Sequence, residues 1–448
     1  MGTCGGGYRR REPEATALHR AVREGWPEVE RAASERGGLP QRVKDEVRRY
    51  LACGVLRYGF AMVKCTACSQ LLLVGFSCKG RGLCPSCSAR RSEETAAHCE
   101  AVLPEVGYRQ WTLSLPGQLR LAVVKQPALL RTVERRLCEA VWRWQRACAK
   151  RLGAAGVLSG GAVGFLQLFG SALQLTPHLH VLVPEGLWAD RDFVALPPPG
   201  TEQVVSILRR LVKRLAKDFE GLEDGWAEDA LEGLQQQAAQ ARLPLGQTQR
   251  EGKARRVALL EGFSLHANTA VHPNDREGLA RLCRYGSRGP IALARLSRLD
   301  DGRYAYRTKR GPVLILTAQA LLQRLLALVP PRGTHLTCFH GVFAPNAALR
   351  PHVIRKQAPP QDTPVLRTAP LQPKPKASPR RPRLDWAALQ RRTFGVDVWT
   401  CACGGKRKVL AVITSSRTAH DVLQNLNLLP PRPPPPRAQA PPQLQLAV

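Results

Sequence analysis

The amino-acid sequence predicts an α+β fold in which a central antiparallel sheet is flanked by helices. A cysteine-rich N-terminal module and a small C-terminal segment accompany this domain. Three observations lead to the prediction. Strand-like apolar runs alternate with longer helical segments between residues 106 and 350. Cysteines concentrate between Cys53 and Cys99, and a proline-rich basic stretch precedes the C-terminal segment.

Each element follows from its local pattern. The run "YRQWTLSLP" (108–116) alternates polar and apolar residues and indicates a strand that Pro116 ends. Apolar runs at 161–171 and 178–186, joined by a short link, indicate a β-hairpin. The other expected elements are helices at 43–51, 126–152, 204–219, 274–285 (capped by Asn274 or Asp275) and 318–328, and strands at 262–271, 302–309 and 312–317. Residues 222–256 are polar and glutamine-rich, so we expect them at the periphery.

Changes in composition predict five regions. Residues 1–105 form the N-terminal helical and cysteine-rich module, and 106–350 form the main α+β domain. Residues 351–383 are a basic, proline-rich linker, and 384–429 are the small C-terminal segment. The proline-rich tail, 430–448, is expected to be disordered.

The charge balance favours a polyanionic partner. The 448 residues carry a formal net charge of +32, which indicates nucleic acid, although a solvated basic surface is the alternative. The N-terminus lacks the apolar core of a signal peptide, and no apolar run approaches the ~18 residues of a membrane span. We therefore expect a soluble, cytoplasmic protein without membrane contact. In that compartment its 14 cysteines would be metal ligands or free thiols.

Two closely spaced cysteine pairs predict a structural zinc site. Each pair has the C-x2-C spacing, and fifteen residues separate the pairs, which suits a tetrahedral site with no open position. The predicted ligands are Cys65, Cys68, Cys84 and Cys87. Cys53 and Cys78 are additional: either could replace one of the four or be a buried thiol. Cys401 and Cys403 form a weaker pair, because no second pair lies near them in the sequence.

The stretch "LQLTPHLHVLVPEG" holds two histidines that a strand would point to one face. His178 and His180 are separated by one residue, and residues i and i+2 of a strand share a face. Spacing alone leaves a metal pair and two core histidines equally open. A metal needs a third ligand, which could be Gln167 on the preceding strand or His266 on a later one. The metal's identity stays open among Mn²⁺, Mg²⁺ and Zn²⁺.

A basic helix carries a candidate nucleophile. In "DREGLARLCRYGSRGP", Tyr285 would share one helical face with three arginines, Arg281, Arg284 and Arg288. A phenol has a pKa near ~10, and nearby cations favour the phenolate and bind phosphate. Tyr285 could therefore attack a phosphodiester, whereas the simpler interpretation is a surface tyrosine on a basic helix.

Several blocks of the chain resemble HUH transposases of the insertion-sequence ninety-one family, which move by a rolling-circle route. The blocks occur in the same order as in that family. The blocks are "GFAMVKCTACSQLLLVGFSCKGRGLCPSCSARR", "RQWTLSLP", "FLQLFGSALQLTPHLHVLVPEG", "LCRYGSRGPIALARLSRL", "HGVFAPNAALR" and "WAALQRRTFGVDVWTCACGGKRKVLAVI". The resemblance covers most of the chain. It implies that residues 106–350 are an HUH single-strand DNA nuclease domain and that residues 1–105 include a zinc-binding module.

The resemblance also implies site residues and chemistry. His178 and His180 would be the HUH metal pair and Tyr285 the nucleophile, with Arg281, Arg284 and Arg288 at the phosphate. Some members have two tyrosines four residues apart, but position 289 is Gly, which places this chain in the single-tyrosine branch. Structural zinc and a catalytic Mg²⁺ or Mn²⁺ are the implied metals. The partner would be single-stranded DNA at the ends of the mobile element and at its target, so the protein would associate with the nucleoid.

The implied activity is DNA transposition, a form of DNA recombination. The enzyme would cleave and rejoin single strands at the ends of an insertion sequence through a 5′-phosphotyrosine. Two alternatives belong to other classes: a zinc-module DNA-binding regulator without catalysis, and a metal-dependent nuclease that uses water.

Overall fold

A computed structural model describes residues 12–220, 230–240, 255–309, 311–354 and 384–429. The helices are α1 (Ala17–Ser34), α2 (Gln41–Leu51), α3 (Pro85–Val102), α4 (Gly117–Lys125), α5 (Pro127–Arg151), α6 (Thr201–Asp218), α7 (Ala230–Gln240), α8 (Arg276–Ser287), α9 (Ala318–Ala327), α10 (Arg350–Val353), α11 (Trp386–Phe394) and α12 (Ser416–Asn425). The strands are β1 (Phe60–Cys65), β2 (Leu71–Gly75), β3 (Tyr108–Ser114), β4 (Leu158–Ser159), β5 (Gly161–Phe169), β6 (Leu175–Pro184), β7 (Gly186–Ala189), β8 (Asp192–Ala195), β9 (Val257–Leu260), β10 (Phe263–Val271), β11 (Leu296–Arg298), β12 (Tyr304–Arg307), β13 (Val313–Leu316), β14 (Thr337–Gly341) and β15 (Arg407–Ile413).

The elements confirm a fold that mixes helices with antiparallel sheets. The expected hairpin is β5–β6, and the expected strands at 108–116 and 262–271 are β3 and β10. Asp275 is the cap of α8, since its side chain accepts a hydrogen bond of 2.7 Å from the amide of Gly278. None of the helices among the described residues combines the length and the apolar character that a membrane span requires.

Within the described residues the chain divides into two compact units. The larger unit contains residues 12–53 and 77–398, and the smaller one contains residues 54–76 and 399–429. This division places β1 and β2 of the cysteine-rich region in the same unit as β15 and α12 of the C-terminal segment. Most of the predicted linker (355–383) and the whole predicted tail (430–448) lie outside the described residues.

The larger unit is built on a sheet with the strand order β14-β5-β6-β3-β10-β9. All the pairings within it are antiparallel. The register of the two central hairpin strands sets Gln167 opposite His178 and Phe165 opposite His180. Directly opposed residues in a sheet point to the same face, so these four side chains share one face.

Each face of this sheet packs into its own apolar cluster. Leu166 and Leu179 belong to one cluster, which contains apolar residues of α5 and α6. Phe165 and Leu182 belong to the other, together with residues of α3 and α8. Gly286 lets α8 approach closely, because a Cβ atom there would lie 2.6 Å from the ring of Phe165. The histidine face of the sheet is therefore the face that α8 covers.

Part of the polar region 222–256 is less peripheral than we expected. Its described part includes α7, which packs against α9, and Leu231 in this helix is 2% exposed. Leu231 and Ala238 join the apolar cluster that contains residues of α5 and α6. For α7 the prediction of a peripheral position was wrong. The many glutamines obscure an amphipathic pattern, and a narrow apolar stripe is enough for a helix to pack against a core.

The smaller unit consists of the sheet β15-β1-β2 and helix α12. Strand β1 is the centre of this sheet, with Cys65 opposite Arg407 on β15 and Lys64 opposite Leu71 on β2. The buried side chains of its core are Leu56, Phe60, Leu73, Ile413, Ala419 and Leu423.

Candidate active site

The two histidines of β6 lie side by side on one face of the sheet. The ring centroids of His178 and His180 are 4.9 Å apart. The Nδ1 atom of His178 donates a hydrogen bond to the backbone carbonyl of Thr176 at 2.8 Å, since a carbonyl can only accept. The proton therefore resides on Nδ1, and the lone pair of Nε2 is free to bind a cation.

His180 is oriented by a hydroxyl and an amide on β3. Its Nδ1 lies 3.1 Å from Oγ1 of Thr112 and 3.2 Å from the side-chain nitrogen of Gln110. The Thr112 hydroxyl can accept a proton from Nδ1, whereas the Gln110 amide can only donate, and it also donates to the Thr112 hydroxyl at 3.3 Å. In the tautomer whose Nδ1 donates to Thr112, the Nε2 lone pair points away from both partners. Among the described residues that Nε2 atom is buried and has no hydrogen-bond partner. A buried acceptor without a partner costs free energy unless a cation occupies the site.

Gln167 supplies a second unpartnered acceptor. Its Nε2 atom donates to the backbone carbonyls of Tyr285 at 2.6 Å and Gly286 at 3.0 Å. Two carbonyl partners fix the orientation of the amide, so Oε1 points the other way. This Oε1 atom is buried and, within the described chain, has no hydrogen-bond partner. The side chain sits directly opposite His178 in the sheet, which fits it to be the third ligand.

His266, the rival third ligand, lies farther from the pair. It faces Thr112 on β3, and Thr112 in turn faces His180, so His266 is two strands away. In the described part of the chain, the three histidines do not form a group whose ligand atoms all lie within 4.8 Å of one another. The geometry favours Gln167 over His266.

Burial keeps both imidazoles neutral. Desolvation, with a smaller contribution from the Arg288 guanidinium, lowers the pKa of His178. Desolvation, followed by the neighbouring His178 and Arg288, lowers the pKa of His180 to about 3. Neutral imidazole is the form that binds a metal. The residues present therefore fit a divalent cation held by two imidazole nitrogens and one amide oxygen.

Tyr285 stands over the histidine pair. Its ring centroid is 5.4 Å from that of His180, and the residue is 37% exposed, so a substrate can reach it. Two cations lie against the ring: the guanidinium carbon of Arg288 at 4.8 Å from the centroid and Nζ of Lys309 at 5.5 Å. Arg288 also covers the ring of Phe169 at 5.0 Å. A half-exposed phenol, a buried imidazole and two cationic side chains thus lie close together.

The three predicted arginines are placed differently from one another. Arg288 contacts the Tyr285 ring, whereas Arg284 forms ion pairs with Glu277 and with Glu93, the latter at 3.7 Å. The Arg281 side chain is 68% exposed and lies 3.9 Å from Asp275. Arg284 and Arg281 therefore do not surround the phenol as the helical spacing suggested, because acidic side chains on α3 and in the first turn of α8 attract them.

Helix α8 is held by α3. The Ser92 hydroxyl donates to the carbonyl of Arg284 at 2.8 Å, and the Ser287 hydroxyl donates to that of Ser92 at 3.4 Å. Position 289, where a second tyrosine could have stood, lies beyond the end of α8. A Cβ atom at Gly289 would lie 2.7 Å from Cβ of Ser88 on α3. The close packing against α3 therefore favours glycine, which has no Cβ atom, at position 289.

The cysteines form two groups rather than the one expected from spacing. In the larger unit, four thiols come within 4.8 Å of one another: Cys53, Cys78, Cys84 and Cys87. The sulfur–sulfur distances Cys53–Cys87, Cys78–Cys87 and Cys53–Cys84 are 3.4–3.7 Å. In the smaller unit the same holds for Cys65, Cys68, Cys401 and Cys403. The predicted set of Cys65, Cys68, Cys84 and Cys87 is therefore divided between two groups, since each C-x2-C pair has partners outside the neighbouring pair.

Comparisons with known families bear on both regions. Residues 161–349 match the family model Y2_Tnp, described as "Putative transposase". Residues 21–115 match a transposase zinc-binding domain of the IS91 (insertion sequence ninety-one) type. Together the two matches support an IS91-family transposase. The comparisons with curated proteins and with solved structures found no match.

The two matched ranges contain the features described above. The first range holds Gln167, both histidines and Tyr285, and the second holds all four cysteines of the group in the larger unit. The zinc-domain match and the cysteine groups support structural zinc. A transposase processes DNA, so DNA is the implied partner, in agreement with the basic composition.

Several candidate residues were not identified from the sequence. Lys309 reaches Tyr285 from the loop after β12, and no local pattern identifies it. Thr112 and Gln110 could have been found, because they alternate along β3 and face the histidine strand. The partners of Cys401 and Cys403 were hidden by a sequence separation of more than three hundred residues.

Proposed function

We propose that the protein cleaves and rejoins single-stranded DNA at the ends of a mobile element through a 5′-phosphotyrosine, on an HUH-type nuclease domain of the single-tyrosine branch. The observation that carries the proposal is the position of Tyr285 beside His180, together with two buried atoms, Nε2 of His180 and Oε1 of Gln167, that have no hydrogen-bond partner among the described residues. Buried polar atoms without partners call for an explanation, and a bound cation would supply one.

The chemistry needs no external energy source. The Tyr285 hydroxyl oxygen attacks the phosphorus, and the bond from phosphorus to the 3′ oxygen breaks. The phenol proton passes to solvent, and the departing 3′ oxygen takes up a proton from solvent. The products are a 5′-phosphotyrosine and a free 3′-hydroxyl. A second 3′-hydroxyl then attacks the same phosphorus, a new phosphodiester forms and Tyr285 is regenerated. One phosphoester bond is exchanged for another at each step, so no nucleotide is consumed.

His178, His180 and Gln167 would hold a catalytic Mg²⁺ or Mn²⁺. When bound, such an ion polarises a phosphoryl oxygen and stabilises the charge that develops there. Arg288 and Lys309 bind the scissile phosphate beside the phenol. Gln167 has a second role, because its amide fixes the backbone at Tyr285.

The structural zinc would support the catalytic site through helix α3. We assign the ion of the matched zinc domain to Cys53, Cys78, Cys84 and Cys87. Cys84 caps the start of α3, and Cys87 lies in its first turn. The same helix holds α8 through Ser92, so zinc supports the helix that carries the nucleophile.

Covalent capture tests the proposal. The full-length protein is incubated with end-labelled single-stranded DNA from an element terminus and Mn²⁺, and the products are run on a denaturing gel. A DNA–protein adduct that Tyr285→Phe abolishes and Tyr58→Phe, at another exposed tyrosine, preserves is the expected result. Cleavage without an adduct would indicate hydrolysis by water. Binding without cleavage would indicate a regulator, and either result overturns the proposal.

A further inference from the structure

The smaller unit contains a cysteine group that the zinc-domain match does not span. Cys65 ends β1, Cys68 lies in the turn between β1 and β2, and Cys401 and Cys403 precede β15. The matched zinc domain ends at residue 115, so two of these four thiols fall outside it. The sulfur atoms of Cys65 and Cys403 are 3.6 Å apart, and those of Cys68 and Cys401 are 3.7 Å apart.

The backbone brings both pairs to the same end of the sheet. Strand β15 pairs with β1 so that Arg407 faces Cys65, and Thr66 donates its amide to the Lys406 carbonyl at 2.9 Å. The Cys401 amide donates to the carbonyl of Gly405 at 2.9 Å, which closes the segment between the cysteines and β15 into a tight turn. Gly404 in that turn has a φ of 81°, a conformation suited to glycine.

The spacing of the sulfur atoms fits one tetrahedral metal ion. Four sulfurs at ~2.3 Å from a central zinc are separated by about 3.8 Å along each edge of the tetrahedron. The measured separations of 3.6 and 3.7 Å are close to this edge and far above the ~2.05 Å of a disulfide. Four thiolates in this arrangement select zinc or a single iron ion.

The unit also needs a stabilising link. Its core is small. The unit is built from two segments, residues 54–76 and 399–429, which are separated in the sequence by residues of the larger unit. Small folds of this kind commonly depend on a metal or on disulfides, because the apolar area that they bury is limited. A metal bound by two cysteines from each segment would connect the segments directly.

We propose that Cys65, Cys68, Cys401 and Cys403 bind a second structural zinc ion, which fastens the C-terminal segment to the β1–β2 hairpin. This assignment gives the C-terminal "CACGG" sequence a role. It is independent of the phosphotyrosine chemistry, because it rests on residues of the smaller unit alone.

Thiol protection in the unaltered protein tests this site directly. Cys68 and Cys403 are exposed, so as free thiols they would react rapidly with iodoacetamide. We expect mass spectrometry to show both protected in the purified full-length protein and alkylated at least about tenfold faster once a strong chelator is added. Equal rates with and without chelator would overturn the proposal. Protection that yields only to a reductant would indicate disulfides and overturn it too.

Metal content provides a second measurement. The full-length protein should contain about two zinc ions per chain, and Cys401→Ser with Cys403→Ser should reduce this to about one. Cys53→Ser with Cys84→Ser should remove the other ion, and Cys148→Ser, at a buried cysteine outside both groups, should remove none. A C401S/C403S protein that still holds about two ions, or iron in place of zinc in the native protein, would contradict the assignment.

Discussion

The side-chain amide of Gln167 donates a 2.6 Å hydrogen bond to the backbone carbonyl of Tyr285. One residue therefore links the strand that would hold the metal to the helix that carries the nucleophile. Its two ends differ: the nitrogen holds the backbone of α8, and the buried oxygen has no hydrogen-bond partner among the described residues, so it could serve as a ligand. The spacing between metal and nucleophile would then be set by a single side chain.

Substitutions at Gln167 can separate these two tasks. Gln167→Glu keeps an oxygen ligand but loses the donors to two carbonyls, so the maximal cleavage rate should fall while the Mn²⁺ concentration for half-maximal rate stays or decreases. Gln167→Ala should raise that concentration about 10–100-fold and also lower the rate. Both quantities follow from cleavage rates measured across a Mn²⁺ titration. Gln203→Ala, an exposed glutamine on α6, is the control; an unchanged titration for Gln167→Ala would remove this residue from the site.

Thr112 should control the proton on His180. Thr112→Val removes the acceptor 3.1 Å from Nδ1, so the tautomer that presents Nε2 to a cation loses its support. We expect Mn²⁺ to bind about tenfold more weakly, as measured by calorimetry. Thr112→Ser keeps the hydroxyl and should bind Mn²⁺ as the native protein does. Equal affinities for the valine and serine variants would show that the hydroxyl has no such role.

Lys309 should contribute one phosphate contact. Its ammonium lies 5.5 Å from the Tyr285 ring centroid and is free to approach DNA. Lys309→Ala should weaken binding of single-stranded DNA and reduce the slope of log affinity against log salt by about 0.7. Fluorescence anisotropy without divalent metal measures this slope. Lys213→Ala, an exposed lysine on α6, should leave it unchanged, and an equal loss in both variants would indicate general charge attraction only.

Gly289 should resist substitution because of Ser88. Gly289→Ala places a methyl group 2.7 Å from the Ser88 Cβ atom and should lower the free energy of unfolding by about 1–3 kcal/mol. Urea denaturation measures this loss. Gly117→Ala, where a Cβ atom meets nothing within 4 Å, should cause no comparable loss.

A double variant tests whether the contact itself is responsible. Ser88→Gly removes the opposing Cβ atom, so its combination with Gly289→Ala should lose less stability than the sum of the two single losses. Strict additivity would mean that Gly289 is constrained by something other than Ser88.

Much of the fold could be predicted from sequence because its signals are local. The alternation in β3, the apolar runs of β5 and β6 and the cap at Asp275 depend on neighbours within a few residues. The candidate histidines followed from the same alternation. Burial of α7 could not be predicted, since a glutamine-rich helix shows its buried stripe only once a partner is known.

The parts of the site that depend on contacts between residues distant in the sequence could not be predicted. The cysteine groups each combine thiols that sequence proximity does not pair, and Lys309 reaches the phenol from a different element. The observed positions of the Arg281 and Arg284 side chains differ from the predicted ones for a related reason. Helical spacing gives the face on which a side chain starts, but the acidic partners on α3 and α8 decide where its charged end lies.

The position of β1 at the centre of the smaller sheet has a consequence for synthesis on the ribosome. Cys65 and Cys403 are 338 positions apart, so at typical elongation rates β15 emerges about 20–70 s after β1. During that interval one edge of β1 has no neighbour from β15, and open edges invite pairing with other chains. The yield of soluble protein should therefore depend on how well the β1–β2 hairpin is protected from pairing with other chains until β15 has been synthesised.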